Sequence, residues 1–238
     1  MAEPLLLVDS ISAGYLGRNV LHEISLQVEE GSLVAIIGPN GHGKTTLLRA
    51  VSGLLGLHGG RIALAGADIH RRRPDEIVAA GIIHVPQGDM LFPDMTVLEN
   101  LQMGAYLPAA AARMNQRLDE VFALLPKLAE RRSQVASTLS GGERRMVGIG
   151  RGLMAGGRLL MLDEPSLGLA PILIDQIYEV ILRLRAAGRT IVLVEENVAR
   201  VADKADRIHL LDNGRFVWEG AGSELMSRPE ILATYLGG

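Results

Sequence analysis

Lys44 and Thr45 close the run Gly38-Pro39-Asn40-Gly41-His42-Gly43-Lys44-Thr45, whose spacing, GxxxxGK[ST], suits a polyphosphate ligand. Glycines in such a loop allow backbone conformations that turn successive N–H groups onto phosphate oxygens. A helix opening at Lys44 would add the positive end of its dipole. Lys44 is expected to reach the β- and γ-phosphates of a nucleotide such as ATP, and the Thr45 hydroxyl to ligate Mg²⁺. Thr46 completes the nucleotide-binding stretch. His42 reads as a solvent-facing spacer rather than a ligand. A chance glycine-rich turn is the plain alternative, and the apolar run before the loop with the helical spacing after it argues against that. A second chemical feature is Asp163-Glu164, delivered at the end of the apolar run Leu159–Leu162. In open α/β sheets ligands bind at that end of the strands. Asp163 is expected to hold Mg²⁺ through water, and Glu164 to orient and polarise the water that attacks the γ-phosphate. Taken alone, the two could equally be a surface acidic pair.

These residues need strands to carry them. Leu33-Val34-Ala35-Ile36-Ile37 is continuously apolar, as suits a parallel strand buried on both faces. Ile24, Leu26 and Val28 alternate with polar residues at the period of a half-buried strand. Further strands are predicted at Gly81–Val85, Arg158–Leu162 and Thr190–Val194. Between the last two, Ile174, Ile177, Tyr178, Ile181 and Leu182 form an apolar helical stripe ending near Gly188. From about Gly88 to Gly157 the periodicity is helical throughout, with Leu118, Val121, Phe122, Leu125 and Leu128 on one face. This predicts a helical subdomain inserted between two strands of a mostly parallel sheet. Two short apolar runs around Asn213-Gly214 predict a β-hairpin.

Composition narrows the classes. The 238 residues are 48% apolar and 21% charged, with a formal net charge of −3, which gives no basic field for nucleic acid. Three Phe and one Trp are too few for a stacking platform. There is no cysteine, so disulfides and thiolate metal sites are excluded. The six histidines show no i, i+3 or i, i+4 pairing, and no GxSxG elbow occurs. The start, Met1-Ala2-Glu3-Pro4, lacks signal-peptide character, and no apolar run approaches the roughly 18–20 residues of a bilayer span. The expectation is a cytosolic chain whose membrane role comes through partners. Arg71-Arg72-Arg73, Arg131-Arg132 and Arg144-Arg145 read as solvated faces.

The loop and the acidic strand end are shared by many NTPases. Leu139-Ser140-Gly141-Gly142-Glu143, opening an apolar helical run ahead of the acidic strand, is more specific and resembles the signature motif of ABC ATPases. Gln87 matches that family's Q-loop, and Tyr15 the aromatic that stacks on adenine. The resemblance implies an α/β P-loop cassette with a mostly parallel core sheet, an N-terminal antiparallel β part and an inserted helical signature subdomain. It implies one domain over 1–238, with 1–87 and 158–238 the nucleotide-binding core and 88–157 the insert. Lys44, Gln87, Glu164 and Glu196 would form the catalytic set, and Thr45, Gln87 and Asp163 the Mg²⁺ set. Ser140, Gly141, Gly142 and Glu143 would serve ATP held by a second cassette, identical or homologous, in a head-to-tail dimer.

The stretches LDEPSLGLAP, VPQGDMLFPDMTVLENLQMGAY, VEEN and the closing YLGG resemble the LivF-type ATP-binding subunits of branched-chain amino acid importers. That resemblance implies two transmembrane permease subunits, a periplasmic solute-binding protein reached indirectly, and a peripheral place on the inner face of the cell membrane. Importers of urea, amides or other amino acids share much of the pattern. Two positions depart from the general family: Glu196 stands where most cassettes carry a switch histidine, and Ala170 where the D-loop carries aspartate. A cassette that mainly holds ATP while its partner hydrolyses is the second reading. A DNA- or ribosome-directed ABC ATPase is the third, against which stands the lack of a long coiled-coil insert or a second cassette.

Overall fold

In a computed structural model of the chain, residues 3–88 and 90–236 are described. Met1, Ala2, Asp89 and the closing Gly237-Gly238 of the YLGG stretch lie outside them. The alternating N-terminal segment forms strands β1 (Leu6–Tyr15) and β2 (Arg18–Val28), paired antiparallel. Strand β3 (Leu33–Ile37), buried throughout, runs through the glycine-rich loop into helix α1 (Lys44–Val51). Strands β4 (Leu57–Leu64) and β5 (Ala67–Asp68) then complete a four-stranded antiparallel sheet in the order β2-β1-β4-β5. Helix α2 (Pro74–Ala80), which the sequence reading did not single out, leads into strand β6 (Ile82–Val85).

After β6 come helices α3 (Val97–Met103), α4 (Pro108–Ala111), α5 (Met114–Leu124), α6 (Pro126–Glu130) and α7 (Gly141–Met154), and then strand β7 (Leu159–Asp163). The helical periodicity expected from Gly88 is therefore interrupted. Helix begins only at Val97, where Thr96 caps α3 by accepting from the Glu99 N–H. The stripe from Leu118 to Leu128 is broken at Leu125, because Pro126 cannot donate to the α5 ladder and opens α6 instead. Helix α8 (Pro171–Ala186) buries Ile174, Ile177, Tyr178, Val180, Ile181 and Leu184, so Leu182 lies at the edge of the stripe rather than within it. Strand β8 (Thr190–Glu195), the hairpin β9 (Arg207–Asp212) and β10 (Arg215–Gly220), and helices α9 (Gly222–Met226) and α10 (Pro229–Leu236) finish the chain.

The second sheet runs β10-β9-β3-β8-β7-β6, parallel except for β10. Its central strands are apolar on both faces because each face has a cover. Leu33, Ala35, Ile37, Leu160, Leu162, Ile191 and Leu193 pack in the cluster that includes α3, α5, α7 and α8. Val34, Ile36, Leu159, Met161, Val192 and Val194 pack with α1 and the antiparallel sheet. The parallel register sets Ile37 beside Glu195 and Asp163 beside Val194, so the C-terminal ends of β3, β7 and β8 open side by side.

Candidate active site

At that common edge the glycine-rich loop packs directly on β9. Gly38 has φ 155°, and a Cβ built on it would stand 2.1 Å from the Leu211 carbonyl oxygen, so no larger residue fits. Gly43, at φ 108°, is the residue from which α1 starts. Lys44 is almost fully buried, and its Nζ donates to the carbonyls of Gly38 (2.8 Å) and Pro39 (3.1 Å) and to Asn40 Oδ1 (3.4 Å). It also lies 3.2 Å from Glu164 Oε1. Breaking a buried pair of this kind by removing one partner costs about 3–5 kcal/mol. Gln87, just past β6, donates through Nε2 to the other Glu164 oxygen at 3.3 Å.

The Thr45 hydroxyl donates to Asp163 Oδ1 at 3.2 Å, while Asp163 Oδ2 is buried with no hydrogen-bond partner. Burial above all, with the adjacent Glu164 charge adding to it, raises the Asp163 carboxyl; the Thr45 bond, Lys44 and Arg49 pull the other way. An orphaned carboxylate oxygen beside a threonine hydroxyl is a donor set that fits a divalent cation shared with phosphate oxygens. A cavity of about 320 Å³ lies over these groups, lined by Asn40, Gly41, Gly43, Lys44, Thr45, Thr46, Gln87, Glu164 and Leu167.

Glu164 itself has φ 46°, a left-handed conformation uncommon for a non-glycine residue. Its N–H donates to the Val194 carbonyl at 3.0 Å, which fixes the turn to the end of β8. Two residues on, the Ser166 hydroxyl donates to the buried Glu195 Oε1 at 2.7 Å and accepts from Arg200 Nη1 at 2.5 Å. A second cavity of about 530 Å³ shares Glu164 and Leu167 with the first and includes Ser166, Glu195, Glu196 and Arg200. Exposed Glu196 accepts from Asn40 Nδ2 at 3.1 Å, so its carboxylate stands against the glycine-rich loop. Ala170 lies outside this cluster, as the N-terminal flank of α8.

Two expectations need correcting here. His42 is not a free spacer: its Nδ1 lies 2.8 Å from Asp212 Oδ1, and its carbonyl accepts from the Gly214 N–H at 3.0 Å. The ring therefore fastens the loop to the β9–β10 turn while its backbone stays in the loop. Arg145 is not on a solvated face: it is buried on α7, with Nη1 donating to the Gly88 carbonyl at 2.6 Å. Tyr15, at the end of β1, is exposed and accepts from Arg49 Nη1 of α1 at 3.3 Å, which brings its ring to the helix that starts at the loop.

Loop residues Gly38 to Thr46, Gln87, Asp163, Glu164 and Glu196 thus converge, whereas the signature residues do not join them. Ser140 caps α7, accepting from the Glu143 N–H, and Glu143 reaches back to the Ser140 N–H in a capping box. Ser140, Gly142 and Glu143 line a separate cavity of about 330 Å³ between α6, α7 and α8. Sequence reasoning passed over Ser166, Glu195 and Arg200; the signal was present in two adjacent glutamates at the end of an apolar run.

A glycine-rich loop whose lysine meets a carboxylate at the next strand but one defines a P-loop NTPase. Residues 21–167 match the family described as ABC transporter. The chain is 42% identical, over 98% of its own length and 100% of the relative's, to the high-affinity branched-chain amino acid transport ATP-binding protein BraG of Pseudomonas aeruginosa. It is 35% identical to a probable branched-chain amino acid transport ATP-binding protein LivF of Archaeoglobus fulgidus, covering 95% and 96% of the two chains. A crystal structure of a nucleotide-free ATP-binding cassette from an ABC transporter superposes with a TM-score of 0.86 at 30% identity, over 96% of this chain and 97% of that one. The chain belongs to the ABC transporter family and is an ATP-binding, ATP-hydrolysing subunit of such a transporter.

Proposed function

We propose that this subunit energises a branched-chain amino acid importer by hydrolysing MgATP within a head-to-tail pair of cassettes. The convergence of Lys44, Asp163, Glu164 and Gln87 at the mouth of the loop carries the chemistry. The full-length similarity to BraG and LivF supports the transported class. In this reading Lys44 exchanges its contacts with loop carbonyls and Glu164 for the β- and γ-phosphates of ATP, and Tyr15 covers the adenine. The carboxylate so released orients and polarises a water. The water oxygen attacks the γ-phosphorus as its proton passes to Glu164, the bond to the β–γ bridging oxygen breaks, and ADP and inorganic phosphate leave. Thr45, Asp163 and Gln87 would hold Mg²⁺, which would supply charge neutralisation at the phosphates. Gln87 begins the stretch between β6 and α3, so its shift on Glu164 is passed to the helical segment.

Among the described residues no helix is long and apolar enough to cross a membrane. Transport therefore calls on permease subunits, and exposed Met90, Phe92, Met103 and Tyr106, on the stretch from Gln87 to the start of α4, supply an apolar surface for them. The implied assembly has two permeases, a second cassette and a periplasmic solute-binding protein, with this chain peripheral on the inner membrane face. Glu196 against Asn40 favours one refinement: this chain's own site turns ATP over slowly, and the partner cassette supplies most of the hydrolysis.

Co-purification with membrane partners, followed by uptake assays over branched-chain amino acids, urea and short amides, tests the transported class. Uptake of urea alone would overturn it. Glu164→Gln tests the chemistry. It should keep ATP, lose turnover and give an ATP-dependent shift to dimer in size-exclusion chromatography, because the amide keeps the shape but cannot accept the water's proton. Near-normal hydrolysis at this site would assign the base elsewhere.

A further inference from the structure

A carboxylate at the start of the signature helix is at odds with service to a polyanion. Ser140 donates to Glu143 Oε2 through both its N–H (2.9 Å) and its hydroxyl (2.8 Å). These bonds, the backbone one first, hold the Glu143 carboxyl below its ordinary value, with Arg131 and Lys127 adding to the effect against partial burial, so it is an anion at neutral pH. If the Ser140 hydroxyl turns from Glu143 to an incoming phosphate oxygen, that oxygen lies within about 6 Å of the carboxylate, which the Ser140 N–H still holds. Two anions on one helix start repel, whatever the dipole offers either of them.

The surrounding charges show how the conflict is relieved. Arg183 on α8 pairs with Glu179 at 2.6 Å, and Lys127 reaches Gln176 at 3.5 Å. Arg131, just past the end of α6, instead places its Nε 2.9 Å from Glu143 Oε1, the oxygen that Ser140 does not use. Its guanidinium is braced by a bond from Nη1 to Gln134 Oε1 at 3.0 Å.

We propose that Arg131 is a positioning residue for ATP hydrolysis: by pairing with Glu143 it cancels the charge at the start of α7, so that the Ser140 hydroxyl can turn from Glu143 and donate to a nucleotide phosphate. The inference rests on the reading that the signature faces ATP held by a partner cassette. If it is right, Arg131 acts through Glu143 alone and matters only while that residue is a carboxylate.

The test is a two-residue cycle in the assembled transporter, reading kcat and KM for ATP. Arg131→Ala should raise KM about fivefold, the scale of a half-exposed ion pair, with a smaller change in kcat. Added salt should narrow that difference. Arg131→Lys should recover most of the loss. Arg131→Ala combined with Glu143→Gln should show the same KM as Glu143→Gln alone, since no carboxylate remains to neutralise. An unchanged KM in Arg131→Ala, or a double variant as impaired as Arg131→Ala, overturns the proposal and leaves Arg131 a structural brace. Should Arg131→Ala not fold, Arg131→Gln is read in the same cycle. Ser140→Arg, run beside it, separates the two levels. Unchanged hydrolysis there sinks the partner-facing reading, whereas lost hydrolysis with a silent Arg131 series sinks only the role of Arg131.

Discussion

On the reading that position 196 corresponds to the switch histidine of most cassettes, Glu196 puts a carboxylate where an imidazole would face the γ-phosphate. The hydrogen bond from Asn40 shows the side chain turned toward the loop, even though it is exposed. An ionised carboxylate only accepts hydrogen bonds, so it cannot supply the contact a histidine would donate. Beside a polyphosphate it repels, and solvent screening limits that repulsion to a modest factor. Glu196→Gln should therefore tighten ATP binding about three- to tenfold, measured by nucleotide titration. Glu196→His should raise hydrolysis by the complex, most visibly when the partner's catalytic glutamate is disabled. If neither substitution changes affinity or rate in that background, Glu196 does not face the γ-phosphate and the slow-site refinement falls.

At the scale of elements, the turn between β7 and α8 decides whether the site can work. It must hold Glu164 in a left-handed conformation that costs about 1 kcal/mol or more, and the end of β8 supplies the hold. Val194 fixes the Glu164 N–H, and Glu195 with Arg200 clamps Ser166 two residues further on. Ser166→Ala removes both side-chain bonds and leaves a buried carboxylate short of a donor, a loss on the order of 1–3 kcal/mol. The expected outcome is kcat lowered about tenfold or more with ATP affinity little changed, because Lys44 and the loop are untouched. Equal losses in binding and turnover would show that Ser166 serves the fold rather than the turn.

Across the whole molecule, two histidines are held in surroundings that favour the neutral ring. His209 on β9 is fully buried against Phe216, with ring centroids 4.8 Å apart, and burial lowers its pKa from 6.5 to about 4. His84 on β6 is lowered to about 4 as well, by burial first and then by Arg49. The unfolded chain takes up these protons first. Stability present above pH 6.5 is therefore lost as the pH falls toward 4, on the order of 3 kcal/mol for His209. Melting temperatures measured from pH 7 to 4 should fall less steeply in His209→Leu than in the parent. Parallel curves would mean that His209 is not a source of acid lability.

Short-range pattern was enough to place the elements and the residues at their ends. The loop Gly38–Thr45, the apolar runs of β3, β7 and β8, the turn at Asn213-Gly214 and the signature at Ser140 are each written in a few neighbouring residues. Strand ends at the C-terminal edge of a parallel sheet then bring Lys44, Asp163 and Glu164 together by topology alone. What periodicity could not reach were pairs made by side chains far apart in sequence: His42 with Asp212, Asn40 with Glu196, Arg145 with Gly88, Arg131 with Glu143 and Ser166 with Glu195. A charged residue on a helix looks solvated until a neighbouring element covers it, and a glutamate after a strand looks free until a hydroxyl arrives from another loop. The sequence by itself determined which groups the proposed nucleotide chemistry calls on. Only the tertiary structure decided which of them are held by partners before the nucleotide comes, because burial and pairing are properties of elements in contact rather than of residues in a row.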